Sequence, residues 1–232
     1  MNILKHISVD CAIFGFEGGE LKLLLIKRDD EYIHNEWALP GGNIREDEGV
    51  NEAAQRILAE MSGVGDVYMD QVYVFGDPGR VKDRIVTVAF YALVNPAIYK
   101  LKPNIPGALE ARWFELDKIP DVALDHKEII ETSLRKLKRR FKFEPVGYEL
   151  LPEKFTLRDL QNLYEKIYGI ELDNRNFRKK ILGARLLIET DGQQKNVSHR
   201  PAKLYKFDRE RYNAYKRKGI NMDILPAWYN DF

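Results

Sequence analysis

The chain has 232 residues, of which 44% are hydrophobic and 31% charged; this composition excludes a disordered or low-complexity protein, and the length favours two compact domains. The formal net charge of +1 is unevenly divided, because residues 148–232 hold 17 Lys and Arg against 12 Asp and Glu, which leaves 20 against 24 in the preceding part. A basic part joined to an acidic part suggests a polyanion-binding module attached to a second domain, although a solvated surface is the plain alternative.

The single cysteine, Cys11, excludes an intramolecular disulfide and fits a reducing compartment. The N-terminal sequence MNILKHISVDCAIF has no long apolar core followed by a small-residue cleavage site, and no stretch approaches about eighteen uncharged apolar residues. We therefore expect a cytoplasmic protein that is neither exported nor associated with a membrane.

In the first part of the chain, strands are predicted at CAIFGF and LKLLLIKR, which the turn Gly18-Gly19 joins into a hairpin. After the turn-rich segment EWALPGGNI, apolar residues recur at helical spacing from Gly49 to Ser62, and Gly63 follows as a C-cap. Further strands are predicted at QVYVFG, RIVTVAFYALV and ARWFEL, and a second helix at DHKEIIETSLRKLKRRF.

A linker at Pro145 and Gly147 gives predicted domains at residues 1–145 and 146–232. The second domain begins with two short helices joined by a tight turn. The first starts at the N-cap Thr156 and ends at Gly169; the second, Asn174 to Leu182, is capped by Asp173 and buries Phe177 and Ile181. A β-hairpin with strands RLLIET and AKLYKF follows as a wing, which is typical of a winged helix-turn-helix.

The segment from Gly42 to Val64 resembles the Nudix box, G-x5-E-x7-R-E-U-x-E-E-x-G-U, in which U is apolar. WALPGG before the box, together with FGDPGR and LDHKEII after it, extends the resemblance to most of residues 1–140. The resemblance implies a Nudix fold. The seven box positions in register are Gly42, Glu48, Arg56, Leu58, Glu60, Gly63 and Val64.

Two positions depart from this pattern, because Ile57 and Met61 stand where the box has glutamates. These positions lie four apart on one helical face, where carboxylates hold a divalent cation in Nudix hydrolases. Since pyrophosphate hydrolysis in that family depends on the cation, we predict that the chain is not an enzyme and has no catalytic residues, no metal site and no cofactor. Glu48 and Arg56 are interpreted as an ion pair that braces the loop on the helix.

A Nudix domain without its metal can still bind a small molecule. Carboxylates and guanidiniums beside an aromatic plane suit a polyhydroxylated ligand, since each hydroxyl both donates and accepts hydrogen bonds. Structural roles compete with this interpretation, as an N-cap element for His126 and as core for Trp37. The predicted ligand-binding residues are Arg28, Asp30, Trp37, Arg45, Glu60, Asp77, Arg80, Arg84, Asp125 and His126.

Arg, Asn and Lys on the outer face of the helix from Asn174 to Leu182 point to double-stranded DNA, because Lys and Arg neutralise phosphates and Arg or Asn reads base edges. A ligand-gated winged helix that binds another protein is the alternative, and it would lack salt-dependent operator binding. The predicted DNA-binding residues are Thr156, Asn174, Arg175, Asn176, Arg178, Lys179, Lys195, His199, Arg200 and Lys203.

Over nearly all its residues the chain resembles the Nudix-related transcriptional regulators; FTLRDLQNLYEKIYG, LDNRNFRKKILG and HRPAKLYKF carry the resemblance in the second domain. It implies the fold class α/β (α+β), with an N-terminal Nudix α/β/α sandwich and a C-terminal winged helix-turn-helix domain, and a homodimer on a palindromic DNA operator. We expect the L-arabinose-responsive (AraR) branch, and therefore a repressor of sugar utilisation whose effector is L-arabinose or a related sugar. The alternatives are an ADP-ribose-sensing regulator of NAD metabolism and an active Nudix hydrolase.

Overall fold

The structure is a computed structural model that describes residues 2–29, 33–62, 67–99, 101, 105, 107–143, 149–194, 200–218, 225–226 and 229. The chain divides into two compact units, Met1–Glu17 with Leu21–Lys136 and Gly18–Glu20 with Leu137–Phe232. The predicted domain boundary after residue 145 lies outside the described residues. Within the described ranges, no helix is both long enough and apolar enough to span a membrane.

The first unit is built on a seven-stranded sheet in the order β3-β2-β1-β6-β5, with β4 paired to β1 and β7 paired to β2. Strands β1 and β6 run parallel, whereas the pairs β1–β4, β2–β3, β2–β7 and β5–β6 are antiparallel. The strands are β1 (Ile3–Glu17), β2 (Glu20–Asp29), β3 (His34–Ala38), β4 (Gly41–Arg45), β5 (Tyr68–Phe75), β6 (Val86–Val94) and β7 (Ala108–Glu115). The helices are α1 (Val50–Ser62), a short 3₁₀ turn at Leu116–Lys118 and α2 (His126–Phe143), of which residues 126–136 belong to this unit.

The predicted hairpin of β1 and β2 is confirmed. Gly18 and Gly19 join the strands with φ angles of 64° and 83°, the left-handed conformation that a two-residue hairpin turn requires and that glycine adopts without steric cost. The segment EWALPGGNI, interpreted as rich in turns, instead contains β3 and β4 on either side of Leu39-Pro40. Both strands are short and pair with distant strands, so local propensity gave no signal for them.

Helix α1 packs its apolar stripe on the sheet, as its spacing predicts. Ala53, Ala54, Ile57 and Leu58 are each no more than 1% exposed and share one core with Val9 and its neighbours on the sheet. The side chain of Met61 and the predicted C-cap Gly63 lie outside the described residues. Burial of these side chains, not helix propensity, stabilises a helix of this length.

The second unit contains α3 (Leu157–Tyr168), α4 (Asn174–Gly183), the hairpin of β8 (Leu187–Gln193) and β9 (Lys203–Phe207), and α5 (Arg209–Lys218). The caps predicted from sequence are confirmed. Thr156 and Asp159 form a capping box at the start of α3, Gly169 ends that helix in the left-handed conformation, and Asp173 accepts from the backbone N–H of Asn176 at the start of α4. Helix α5 was not predicted.

The two helices of the pair pack through aromatic side chains. Phe177 and Ile181 of α4 are 2% and 1% exposed, and the Phe177 ring meets the Tyr164 ring of α3 edge to face at 5.7 Å. Phe141, near the end of α2 and also in the second unit, meets the Tyr164 ring edge to face at 5.4 Å. The predicted burial of Phe177 and Ile181 is therefore confirmed, and this packing fixes the position of α4 against α3.

Candidate functional site

The loop between β4 and α1 is held to α1 by the side chain of Arg56. Its Nε and Nη2 atoms donate to the two carboxylate oxygens of Glu48, at 2.8 and 2.6 Å, and Nη2 also donates to the carbonyl of Asn43. The hydrogen bonds from Arg56 to Glu48 are the main reason that the pKa of Glu48 falls to about 2. The predicted ion pair that braces the loop on the helix is confirmed.

A second carboxylate of the box, Glu60, lies between two guanidiniums. Arg45 Nη2 is 3.3 Å from Glu60 Oε1, and Arg56 Nη1 is 3.2 Å from Glu60 Oε2. Ile57 occupies the position of a box glutamate, yet its side chain is 1% exposed and belongs to the core. The residues present therefore do not fit the divalent cation of Nudix hydrolases, because oxygen ligands are replaced by a buried hydrocarbon and the remaining carboxylates are bound by arginines.

A second polar cluster forms around Asp10, which interrupts the apolar sequence of β1. Asp10 is 6% exposed, and a Cβ added at position 41 would lie only 1.9 Å from Asp10 Oδ1. Only glycine fits at Gly41 for this reason. Burial raises the pKa of Asp10, while the guanidinium charges of Arg28 and Arg80 oppose the shift.

His126, the first residue of α2, joins this cluster to the turn before β4. The backbone N–H of Leu39 donates to His126 Nδ1 at 2.9 Å, so that nitrogen carries no proton and the imidazole proton lies on Nε2. Nε2 is 3.7 Å from Asp10 Oδ2. This contact gives His126 a bracing role between Leu39 and α2, which differs from the N-cap role considered from the sequence, and ligand binding by His126 stays a prediction.

Arg80 connects the loop between β5 and β6 to the start of α2. Nη1 donates to both oxygens of Asp125, at 2.8 and 2.6 Å, and Nη2 donates to Thr87 Oγ1 at 2.5 Å. The Thr87 hydroxyl in turn lies 2.9 Å from Ser8 Oγ. Arg80 Nε is buried and makes no hydrogen bond within the described part of the chain, which leaves one inward donor of this guanidinium for a ligand or water.

The structure brings five of the predicted ligand residues into these two polar clusters, and a sixth, Arg28, acts on Asp10 through its charge. Trp37 is half-buried against Phe114, with the cations of Lys27 and Arg112 5.9 and 5.7 Å from its ring centre. Arg28 is half-buried, Asp77 and Arg84 are exposed, and Asp30 lies outside the described residues. Sequence reasoning missed Asp10, for which the signal was a charged residue inside an apolar strand. The five residues in the clusters are Arg45, Glu60, Arg80, Asp125 and His126.

Helix α4 presents a basic face opposite its buried one. Because Phe177 and Ile181 point inward, Arg175 and Lys179 lie about 200° around the helix from them and point to solvent. Asn174, Asn176 and Arg178 are also exposed. Lys180 is exposed too, but its Nζ donates to the carbonyl of Leu225 at 3.0 Å.

The other predicted DNA contacts are distributed over the hairpin and the start of α3. Arg200 and Lys203 are exposed, and Lys203 Nζ lies 2.5 Å from Glu189 Oε1 on the opposite strand. Thr156 is 4% exposed, and its hydroxyl is bound within the capping box. The geometry favours a capping role for Thr156 over the predicted DNA contact. Lys195 and His199 lie outside the described residues.

Comparisons with known protein families match the first and the second part of the chain to different families. Residues 4–133 match the NUDIX domain family and residues 147–207 match the NrtR DNA-binding winged helix domain. The chain is similar to the ADPR responsive transcriptional repressor NtrR of Acinetobacter baylyi, with 33% identity over 89% of this chain and 84% of that protein. The chain belongs to the NrtR family of Nudix-related transcriptional regulators.

Two solved structures support the same assignment. The NrtR-family fold of this chain matches the crystal structure of Shewanella oneidensis NrtR complexed with a 27mer DNA, with a TM-score of 0.78, 29% identity, and coverage of 90% of this chain and 96% of that one. The NUDIX domain of Shewanella oneidensis NrtR complexed with ADP ribose matches with a TM-score of 0.51 and 29% identity over 58% of this chain and 89% of that one. The predicted fold class is confirmed.

Proposed function

We propose that the chain is an ADP-ribose-responsive transcriptional repressor that binds double-stranded operator DNA through α4 and the β8–β9 hairpin. The observation that carries the proposal is the exposed basic face of α4, set by burial of Phe177 and Ile181, on a chain whose Nudix box has Ile57 buried at a metal-ligand position. The names of the similar proteins support DNA and ADP-ribose as ligands.

ADP-ribose replaces L-arabinose as the proposed effector, and NAD metabolism replaces sugar utilisation as the proposed context. Two of the three similar proteins described above are named with ADP-ribose, and none is named with L-arabinose. The chemistry of the box agrees, because a diphosphate needs a cationic partner and Arg45 and Arg56 lie side by side there. The L-arabinose branch of the family is not supported.

The experiment that tests this function measures operator binding by fluorescence anisotropy at several salt concentrations. Because Lys and Arg contacts to phosphate release counterions, affinity should fall steeply with salt, and Arg178→Ala should weaken binding. ADP-ribose should change operator affinity, and L-arabinose should not. Salt-insensitive binding, or an equal response to L-arabinose, would contradict the proposal.

We extend the proposal to a homodimer without hydrolase activity. Two half-sites read by one dimer multiply specificity for a palindromic operator, and light scattering of the free protein and of the complex measures the stoichiometry. Incubation with ADP-ribose and Mg²⁺ should leave the ligand intact. Release of AMP and ribose 5-phosphate would show that the hydrolase alternative is correct.

A further inference from the structure

The Nudix box of this chain contains two carboxylates and two guanidiniums in one contact network. Glu48 and Glu60 are balanced by Arg45 and Arg56, all within 3.3 Å of a partner of opposite charge. A diphosphate carries at least two negative charges. A diphosphate can bind in this network only if Glu48 or Glu60 releases an arginine to it, or if an added cation accompanies it.

The two arginines are held to different extents. Arg56 is 19% exposed and is held by Glu48, Glu60 and the carbonyl of Asn43. Arg45 is 29% exposed, and its guanidinium meets Glu60 through one Nη2–Oε1 contact of 3.3 Å, longer than the 2.6 Å contact between Arg56 and Glu48. Arg45 is therefore the guanidinium that can exchange its carboxylate for a phosphate at the smaller cost.

We infer that Arg45 binds the diphosphate of the effector in place of a metal ion, and that Glu60 competes with the diphosphate for Arg45. This inference rests on the proposed function. A guanidinium offers five N–H donors in a planar fork that matches phosphate oxygens, and it supplies one of the two positive charges that a divalent cation brings in a hydrolase. Glu60 keeps Arg45 in position in the free protein, and the diphosphate displaces it.

This assignment predicts that substitutions of Arg45 and of Glu60 change the affinity for ADP-ribose in opposite directions. Arg45→Ala removes the phosphate ligand and should weaken ADP-ribose binding about tenfold or more, and Arg45→Lys should weaken it less because charge remains without the bidentate fork. Glu60→Gln removes the competing charge and should tighten binding severalfold. A carboxylate that held a metal ion would give the reverse result for Glu60→Gln.

The test is isothermal titration of the full chain with ADP-ribose and, separately, with inorganic pyrophosphate, each with EDTA and with Mg²⁺. Binding should be equal with and without Mg²⁺. The control is Arg158→Ala, which removes an exposed arginine that also contacts a glutamate, Glu165, and should leave both affinities unchanged. Urea unfolding of each variant shows that it is folded.

Each outcome decides between the inference and its alternatives. Weaker binding by Glu60→Gln, loss of binding in EDTA, or unchanged affinity of Arg45→Ala would overturn the inference while leaving an ADP-ribose-binding protein. Failure of ADP-ribose to bind the unmodified chain would overturn the proposed effector. Pyrophosphate binding that depends on Arg45 would then still support a diphosphate site, and failure of both probes would overturn both statements.

Discussion

Arg80 and Asp125 are 45 residues apart in the sequence, and a single guanidinium nitrogen of Arg80 donates to both carboxylate oxygens of Asp125. Their side chains are only 8% and 15% exposed. The pair connects the loop between β5 and β6 to the residue just before α2, so the positions of both ligand-site candidates depend on one ion pair.

Asp125→Asn should destabilise the chain, because it leaves the Arg80 charge buried with weaker acceptors. Loss of one partner of a buried pair costs about 3 kcal/mol or more, measured as the free energy of unfolding in urea. Glu110→Gln is the control, since it removes the carboxylate of the exposed pair with Arg112 and should cost less than about 1 kcal/mol. Equal effects of the two substitutions would show that burial of Arg80 does not matter.

The pKa of Glu48 predicts a loss of stability in acid. It lies at about 2 in the folded chain, below its ordinary value of 4.5, so the ion pair with Arg56 contributes fully above pH 4.5 and is lost as the pH falls toward 2. Glu48→Gln should lower the free energy of unfolding at neutral pH by about 1 to 3 kcal/mol and flatten its pH dependence in that range. Glu131→Gln, at an exposed position of α2, controls for loss of a carboxylate.

Ile57→Glu should not restore a hydrolase but should destabilise the first unit. The side chain is 1% exposed among apolar neighbours, and an unpaired charge in such a place costs about 3 kcal/mol or more. Burial would raise the pKa of the introduced carboxyl, so the cost should shrink as the pH falls. Ile57→Val, expected to cost about 1 kcal/mol, is the control. Wild-type stability of Ile57→Glu in Mg²⁺, with turnover of ADP-ribose, would refute this prediction.

The substitution Thr156→Ala tests whether the Thr156 hydroxyl caps α3 or contacts DNA. Because the Thr156 hydroxyl accepts from the backbone N–H of Asp159 at 3.1 Å, its loss should cost about 1 kcal/mol of unfolding free energy and leave the salt dependence of operator binding unchanged. Thr156→Ser, which keeps the hydroxyl, should retain most of the stability. A changed salt dependence at unchanged stability would assign Thr156 to the DNA instead.

Lys179→Ala should weaken operator binding equally for matched and mismatched sequences. If α4 binds DNA as proposed, a lysine on its outer face would contact phosphate, and its removal should reduce the slope of log affinity against log salt by about 0.9. Lys5→Ala removes the same charge from an exposed position in the first unit and should leave the slope unchanged. An effect of Lys179→Ala confined to one operator sequence would instead indicate a base contact.

Local pattern was sufficient for the elements whose determinants lie close together in the chain. Thr156 and Asp159 are three residues apart, Phe177 and Ile181 four, and Glu48 and Arg56 eight, so caps, a buried stripe and a loop-to-helix ion pair follow from helical geometry alone. The departures at Ile57 and Met61 were visible for the same reason, because a fixed spacing on one helix defines which positions share a face.

The site around Asp10 was decided by the tertiary structure alone. Parallel pairing of β1 with β6 places Ser8 beside Thr87, and pairing of β1 with β4 places Asp10 against Gly41, although these partners are 79 and 31 positions apart. Such contacts leave no periodic signal, because they arise only when the sheet closes loops of dozens of residues and buries the polar groups together. The sequence therefore determined the folds of the two domains and the loss of two glutamates from the Nudix box. The pairing of strands in the sheet determined which polar residues come into contact.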